Sequence, residues 1–125
     1  MTNEEFKKRL IQRAFTLARN VIALVDKFPS KRSAWIVGDQ LIRAATAIGA
    51  NIIEAQAASS RSDFINFLNH ALKSGNETKF WLALAKDVAP HSLDEINSLL
   101  QEVNELTKIL GSSISTLKGK KKTFD

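Results

Sequence analysis

Cysteine is absent from the 125 residues, which excludes a disulfide scaffold, thiolate metal sites and a cysteine nucleophile. Only two histidines occur, His70 and His91, so a mechanism that needs a histidine cluster has no material. Five glycines and two prolines are too few for a sandwich, a barrel or a glycine-rich phosphate loop. No apolar run approaches the roughly 18 residues that cross a bilayer. The opening stretch, MTNEEFKKRL, is charged where a signal peptide would be apolar. A cytoplasmic location and no membrane partner are expected. What is present is an ordinary globular composition, 44% apolar and 25% charged, with a net charge of +5. A chain of this length makes one domain.

Hydrophobic periodicity predicts four helices. The first covers about 3–28, with Phe6, Leu10, Ala14, Leu17, Val21, Leu24 and Phe28 on one stripe and Pro29 ending it. The second covers about 31–58, with Leu41, Ala45, Ile48, Ile52 and Ala55 on its stripe. The third covers about 62–88, with Ser62 as its expected N-cap and a stripe that includes Phe64, Leu68, Ala71, Gly75, Thr78, Leu82 and Ala85. The fourth covers about 92–117, opening on Ser92-Leu-Asp-Glu95, the pattern of a capping box. Residues 118–125 have no periodicity and are expected to be a disordered basic tail. Three-residue connections force sequential helices to run antiparallel, which predicts an all-α, up-down-up-down four-helix bundle.

That order sorts the charges by end. The chain's start, the 59–61 turn and the C-terminus share one end, which collects Lys7, Lys8, Arg9, Arg13, Arg61, Lys118, Lys120, Lys121 and Lys122 against Glu4, Glu5, Glu54, Asp63 and Asp125. The excess is four positive charges, while the other end carries a slight negative excess. A basic end is an electrostatic footprint for RNA or DNA. The alternative is a solvated face with a solubility tail, because no interleaving of aromatic and basic residues marks a base-stacking platform. Phe28, Trp35, Phe80 and Trp81 map to the opposite end, where an aromatic layer capping the core is expected. One tryptophan facing a partner subunit is the alternative.

Chemistry-bearing patterns are missing. A di-metal carboxylate centre needs Glu-x-x-His pairs, yet Ala57 follows Glu54 at that spacing and Phe80 follows Glu77. No serine, histidine and aspartate are placed as a triad. No catalytic residue, metal ligand or cofactor is expected, and the chain reads as non-enzymatic.

The stretch 41–54 carries the most information. Arg43, Ala47, Ala50 and Glu54 share a face, and small residues let a neighbouring helix come near. Gly49 sits mid-helix, where glycine costs about 1 kcal/mol relative to alanine; close packing there is one explanation and slack surface helix the other. Arg43, Asn51, Glu54, Ser74 and Glu77 are expected to form a structural polar network joining the second and third helices. A binding pocket is the alternative.

The runs Arg43-Ala-Ala-Thr-Ala-Ile48, Asn51-Ile-Ile-Glu54, Ser62-Asp-Phe-Ile-Asn-Phe-Leu68 and Ala71-Leu-Lys-Ser74, with Glu77, resemble the bacterial four-helix-bundle family of the 23S rRNA intervening-sequence proteins. That family reads Arg-Ala-Ala-x-Ser-Ile, Asn-Ile-x-Glu-Gly, a Glu-Phe-x-x-Phe-Leu run and a Ser-x-x-Glu pair. The chain departs from it at Thr46-Ala47, at Asp63 and at Ala55, where the family usually has glycine. The likeness covers about residues 5–117. It implies a bundle that assembles as a homopentamer. A look-alike of the same fold, the accessory protein of diversity-generating retroelements, binds nucleic acid and a reverse transcriptase. The expected function is therefore a ring-forming helical bundle that binds RNA or DNA through its basic end. The alternative is a structural scaffold for a protein partner. The apolar surplus beyond the core stripes (Ile11, Phe15, Ile22, Ile42, Ile53, Phe67 and Leu72) also predicts self-association.

Overall fold

A computed structural model describes residues 2–124, with side chains from Thr2 to Gly119. Four helices follow in order: α1 (Asn3–Asp26), α2 (Arg32–Gln56), α3 (Arg61–Val88) and α4 (Leu93–Phe124), with a 3-10 turn at Pro90–Ser92 leading into α4. Each helix packs on its neighbours in a cyclic order, α1 on α2, α2 on α3, α3 on α4 and α4 on α1, which is the up-down-up-down bundle.

The helices start where local hydrogen bonding favours them. Thr2 caps α1, its Oγ1 accepting from the Glu5 amide at 3.1 Å. Ser60, not Ser62, caps α3: its Oγ accepts from the Asp63 amide at 3.0 Å. The Asp63 carboxylate also accepts from the Ser59 amide at 3.3 Å. This reciprocal arrangement moves the start of α3 ahead of Ser62. Ser92 is buried in the 3-10 turn and makes no capping box. Glu95 instead pairs with Lys27 of the facing connection, where His91 Nε2 also meets the Lys27 carbonyl at 3.2 Å. These contacts close the end that carries the 27–31 and 89–92 connections.

The core is the set of stripes the periodicity marks. Leu17, Val21, Leu24, Leu41, Ile48, Ile52, Leu82, Ile96, Val103, Leu106 and Leu110 are essentially withdrawn from solvent. Thr78 is fully buried, and its hydroxyl is satisfied by donating to the Ser74 carbonyl at 2.7 Å. The α2–α3 pair is the most intimate in the bundle, and both helices bury small residues, Ala44, Ala45 and Ala55 on α2 and Ala71, Gly75 and Ala85 on α3.

The close-approach glycines are Gly38 and Gly75. A Cβ on Gly38 would lie 2.7 Å from Val25 Cγ1, and one on Gly75 would lie 2.6 Å from Thr107 Cγ2. Gly49 is different. A Cβ there would meet Ala14 Cβ at 3.5 Å, an ordinary contact. The expected aromatic cap is half present: Phe28 and Trp81 pack on the core. Trp35 and Phe80 stand outward, 62% and 56% exposed. The helix also continues through Lys118 and Gly119 rather than giving way to a tail at 118. The side chains of the remaining expected tail residues lie outside the described residues.

Candidate nucleic-acid interface

The antiparallel order does bring the start of α1, the α2–α3 turn and the last turns of α4 to one end. The cations there divide into three groups. Arg13 is spoken for. Its Nε and Nη2 donate to the two carboxylate oxygens of Glu102 at 3.0 and 2.8 Å, and Nη2 also reaches Glu105 at 2.9 Å. The hydrogen bonds that Arg13 donates to Glu102, with the charges of both carboxylates, raise the guanidinium pKa above its ordinary value despite partial desolvation. Arg13 is thus a bidentate tie between α1 and α4, committed to carboxylates and not presented as a free cation.

The second group is exposed: Lys8, Arg9 and Lys118 make no ion pair among the described residues. Successive helical residues point about 100° apart, so Lys7, Lys8 and Arg9 leave α1 in three directions instead of forming one patch. The third group, Lys7 and Arg61, lines a cleft of about 510 Å³ in which all four helices take part. Lys7 lies 4.0 Å from Glu4 in a solvent-exposed pair, an interaction worth about 0–1 kcal/mol. Arg61 has no ion pair among the described residues and opens α3, at the positive end of the helix dipole. Lys120, Lys121 and Lys122 lie outside the residues whose side chains are described.

The cleft exists because the bundle opens at this end. Leu10 and Leu68, both buried, form its floor. Beyond them α4 presents Ser112, Ser113 and Thr116, small side chains that do not fill the space. Phe6, 39% exposed, and Phe64 stand on its walls. This aromatic–cation juxtaposition was not visible along the chain, since its two halves are more than fifty residues apart. A usable signal was there: Phe6-Lys7 and Arg61…Phe64 each place an aromatic and a cation in the opening turns of helices that start at the same end.

The expected polar network does not assemble within the chain. Among the described residues, no hydrogen bond or ion pair joins any two of Arg43, Asn51, Glu54, Ser74 and Glu77. Asn51 donates to the Ala47 carbonyl of its own helix at 2.9 Å. Glu77 accepts from Trp81 Nε1 at 3.0 Å. Arg43 and Glu54 are exposed. Spacing put Arg43 and Glu54 on one face of α2, and that face looks to solvent.

Two apolar surfaces flank the bundle. Phe15 and Ile22 of α1 stand beside Trp35 and Ile53 of α2, on the outer side of the seam where Ala14 approaches Gly49 and Val25 approaches Gly38. Ile36 of α2 and Phe80 of α3 are exposed elsewhere, with Phe80 packed edge-on against Trp81, ring centroids 5.0 Å apart. Among the described residues, no three acidic or histidine side chains could hold a metal ion. Among the described residues, no helix is long and apolar enough to cross a membrane.

A long four-helix bundle with an open end and no assembled catalytic or metal constellation among the described residues defines an all-helical module. The sequence profile of the 23S rRNA-intervening sequence proteins matches residues 7–112. The chain belongs to this family. A crystal structure of a protein of unknown function from the S23 ribosomal protein family of Bacteroides thetaiotaomicron is similar, with a TM-score of 0.77 and 34% identity. The match covers 84% of this chain and 97% of that one. No curated protein matches the chain.

Proposed function

We propose that the protein is a non-enzymatic helical bundle that forms a ring and binds nucleic acid through its open, basic end. The observation that carries this is the convergence of Lys7 and Arg61, from helices starting far apart in sequence, on one cleft with no carboxylate in its lining. Lys8, Arg9 and Lys118 add further exposed charge at the same end. The assignment of the similar solved protein to a ribosomal protein family is in keeping with an RNA-rich setting. Ring formation is supported by the two different apolar surfaces, one around Phe15 and Ile53, the other around Ile36 and Phe80. Two unlike faces suit a heterologous, closing contact rather than a two-fold one. Family resemblance makes five the expected number of subunits. In a cyclic ring the equivalent ends lie on one face, so weak contacts add by avidity.

Retention of RNA and DNA over a salt series tests this. Affinity should fall steeply with salt, each phosphate contact contributing about −0.9 to the log–log slope on duplex DNA and about −0.7 on single strands. Neutralising Lys7, Arg9 and Arg61 should flatten the slope, and neutralising Lys118, Lys120, Lys121 and Lys122 should flatten it further. No retention at low salt, or a slope indifferent to these changes, refutes the proposal and leaves the protein-scaffold role in its place.

A further inference from the structure

The open end of the bundle has features that general attraction for a polyanion does not require. A smooth basic surface would serve a duplex. Here Lys7 and Arg61 sit on the rim of a recess with an apolar floor, Leu10 and Leu68, and aromatic walls, Phe6 and Phe64. Its volume, about 510 Å³, falls in the roughly 300–1,000 Å³ range of small-ligand sites. No carboxylate lines it, so its charge complements an anion only. Arg61 stands at the positive end of α3 without an ion-pair partner among the described residues, a placement that disfavours the helix and leaves the guanidinium available. Hydroxyl groups of Ser112, Ser113 and Thr116, with the Gln56 amide, supply donors and acceptors around the apolar floor.

We infer that this recess takes an unpaired base of a single-stranded nucleic acid, with the base against Phe6 and Phe64 and the adjoining phosphate held by Lys7 and Arg61. The inference rests on the nucleic-acid reading above and deepens it. Stacking on an aromatic ring is tolerant of sequence, because every base has a π-face. The polar groups can meet a base edge without dictating which base it is. A paired base inside a duplex is stacked on both faces and cannot enter. The protein should therefore discriminate by strand state rather than by sequence. An A-form or B-form helix should engage only the outer cations, Lys8, Arg9 and Lys118, while a strand with free bases should engage the recess as well.

Fluorescence anisotropy with labelled rU12, dT12 and a 12-base-pair duplex, at one fixed salt concentration, tests this. Tighter binding of either single strand than of the duplex is the expected result. Phe6→Ala should weaken single-strand binding roughly 5- to 150-fold, the span measured for loss of one base–aromatic stack, and leave duplex binding unchanged. Phe6 is partly exposed in the first turn of α1, and a melting curve checks that the variant is folded. Arg61→Ala removes a cation from a helix start, so it threatens folding least; it should reproduce the single-strand defect. Equal binding of strand and duplex, or folded variants that bind single strands like the parent, overturns the inference while leaving nucleic-acid binding standing. Failure of the parent to bind any of the three at low salt overturns the broader proposal as well. Decanoate binding that Phe6→Ala abolishes, without displacement of the oligonucleotides, would give the recess to amphiphilic carboxylates and overturn the inference too.

Discussion

Gly75 lies where α2, α3 and α4 come together, and replacing it with alanine sets two opposing effects against each other. In a helix interior the exchange favours folding by about 0.5–1 kcal/mol, because alanine has less backbone freedom to lose. The added methyl, however, would stand 2.6 Å from Thr107 Cγ2 and 3.9 Å from Ile48 Cδ1. Carbon atoms rest at about 3.5–4.0 Å, so Thr107 must retreat by about 1 Å. It has little room: it is buried, and its Oγ1 donates to the Asn104 carbonyl at 3.0 Å. Turning the side chain away gives up that bond. Overpacking of this kind costs about 1–3 kcal/mol, so steric conflict outweighs propensity. Gly75→Ala should lose about 1–2 kcal/mol net, or roughly 4–8 °C in Tm for a chain of this size. Thr107→Ser removes the offending methyl and alone should cost about 1 kcal/mol. Combined, the two changes should offset each other, with a coupling of about 1–3 kcal/mol in the double-mutant cycle. Thermal unfolding followed by circular dichroism, at one protein concentration so that assembly does not shift the midpoint, reads all four corners. A Gly75→Ala protein that melts at or above the parent, or two changes that simply add, would refute the packing account.

Gly49→Ala should behave oppositely, raising stability by about 0.5–1 kcal/mol, since its methyl meets Ala14 at ordinary contact distance; a lowered Tm would contradict this. Arg13→Ala should cost about 1 kcal/mol, a discounted figure because the Arg13 and Glu102 side chains are 37% and 30% exposed. It should leave the salt slope of RNA binding unaltered, and a flattened slope would return Arg13 to the interface. Light scattering of the parent should give several times the 13.9 kDa chain mass, whereas Phe15→Glu with Ile53→Glu should give the single-chain mass with helical content kept. A parent that is already monomeric, or a variant that still assembles, would contradict the ring.

The fold was legible because a helix writes its buried face at steps of three and four, and every stripe from Leu10 to Ile114 follows that spacing. What the stripes cannot encode is the longitudinal register between helices. Gly49 and Gly75 are both mid-helix, and although Gly75 lies on the apolar stripe of α3, the stripe does not say how near α4 comes. Only the approach of Thr107 makes one intolerant of a methyl and the other not. Arg13 shows the same limit: its partner Glu102 is 89 residues away, so it counted as a free cation until the α1–α4 register was known. Ser62 reads as the cap along the chain, but the cap is Ser60, whose hydroxyl accepts from the Asp63 amide while Asp63 bonds back to Ser59. Trp35 and Phe80 map to the correct end of the bundle, but helix rotation, not height along the axis, decides that they face outward. The recess was the least visible feature, being assembled from four separate helix ends.

The central claim is that one particular end of this bundle meets nucleic acid, and lysine footprinting tests it most directly. Amine acetylation of the folded protein, with and without a single-stranded RNA at low salt, followed by peptide mass spectrometry, reports each lysine separately. Protection by RNA should fall on Lys7, Lys8 and Lys118, with Lys31 and Lys86 at the far end reacting as they do in the free protein. Protection confined to Lys31 and Lys86, or spread evenly over both ends, would contradict the account.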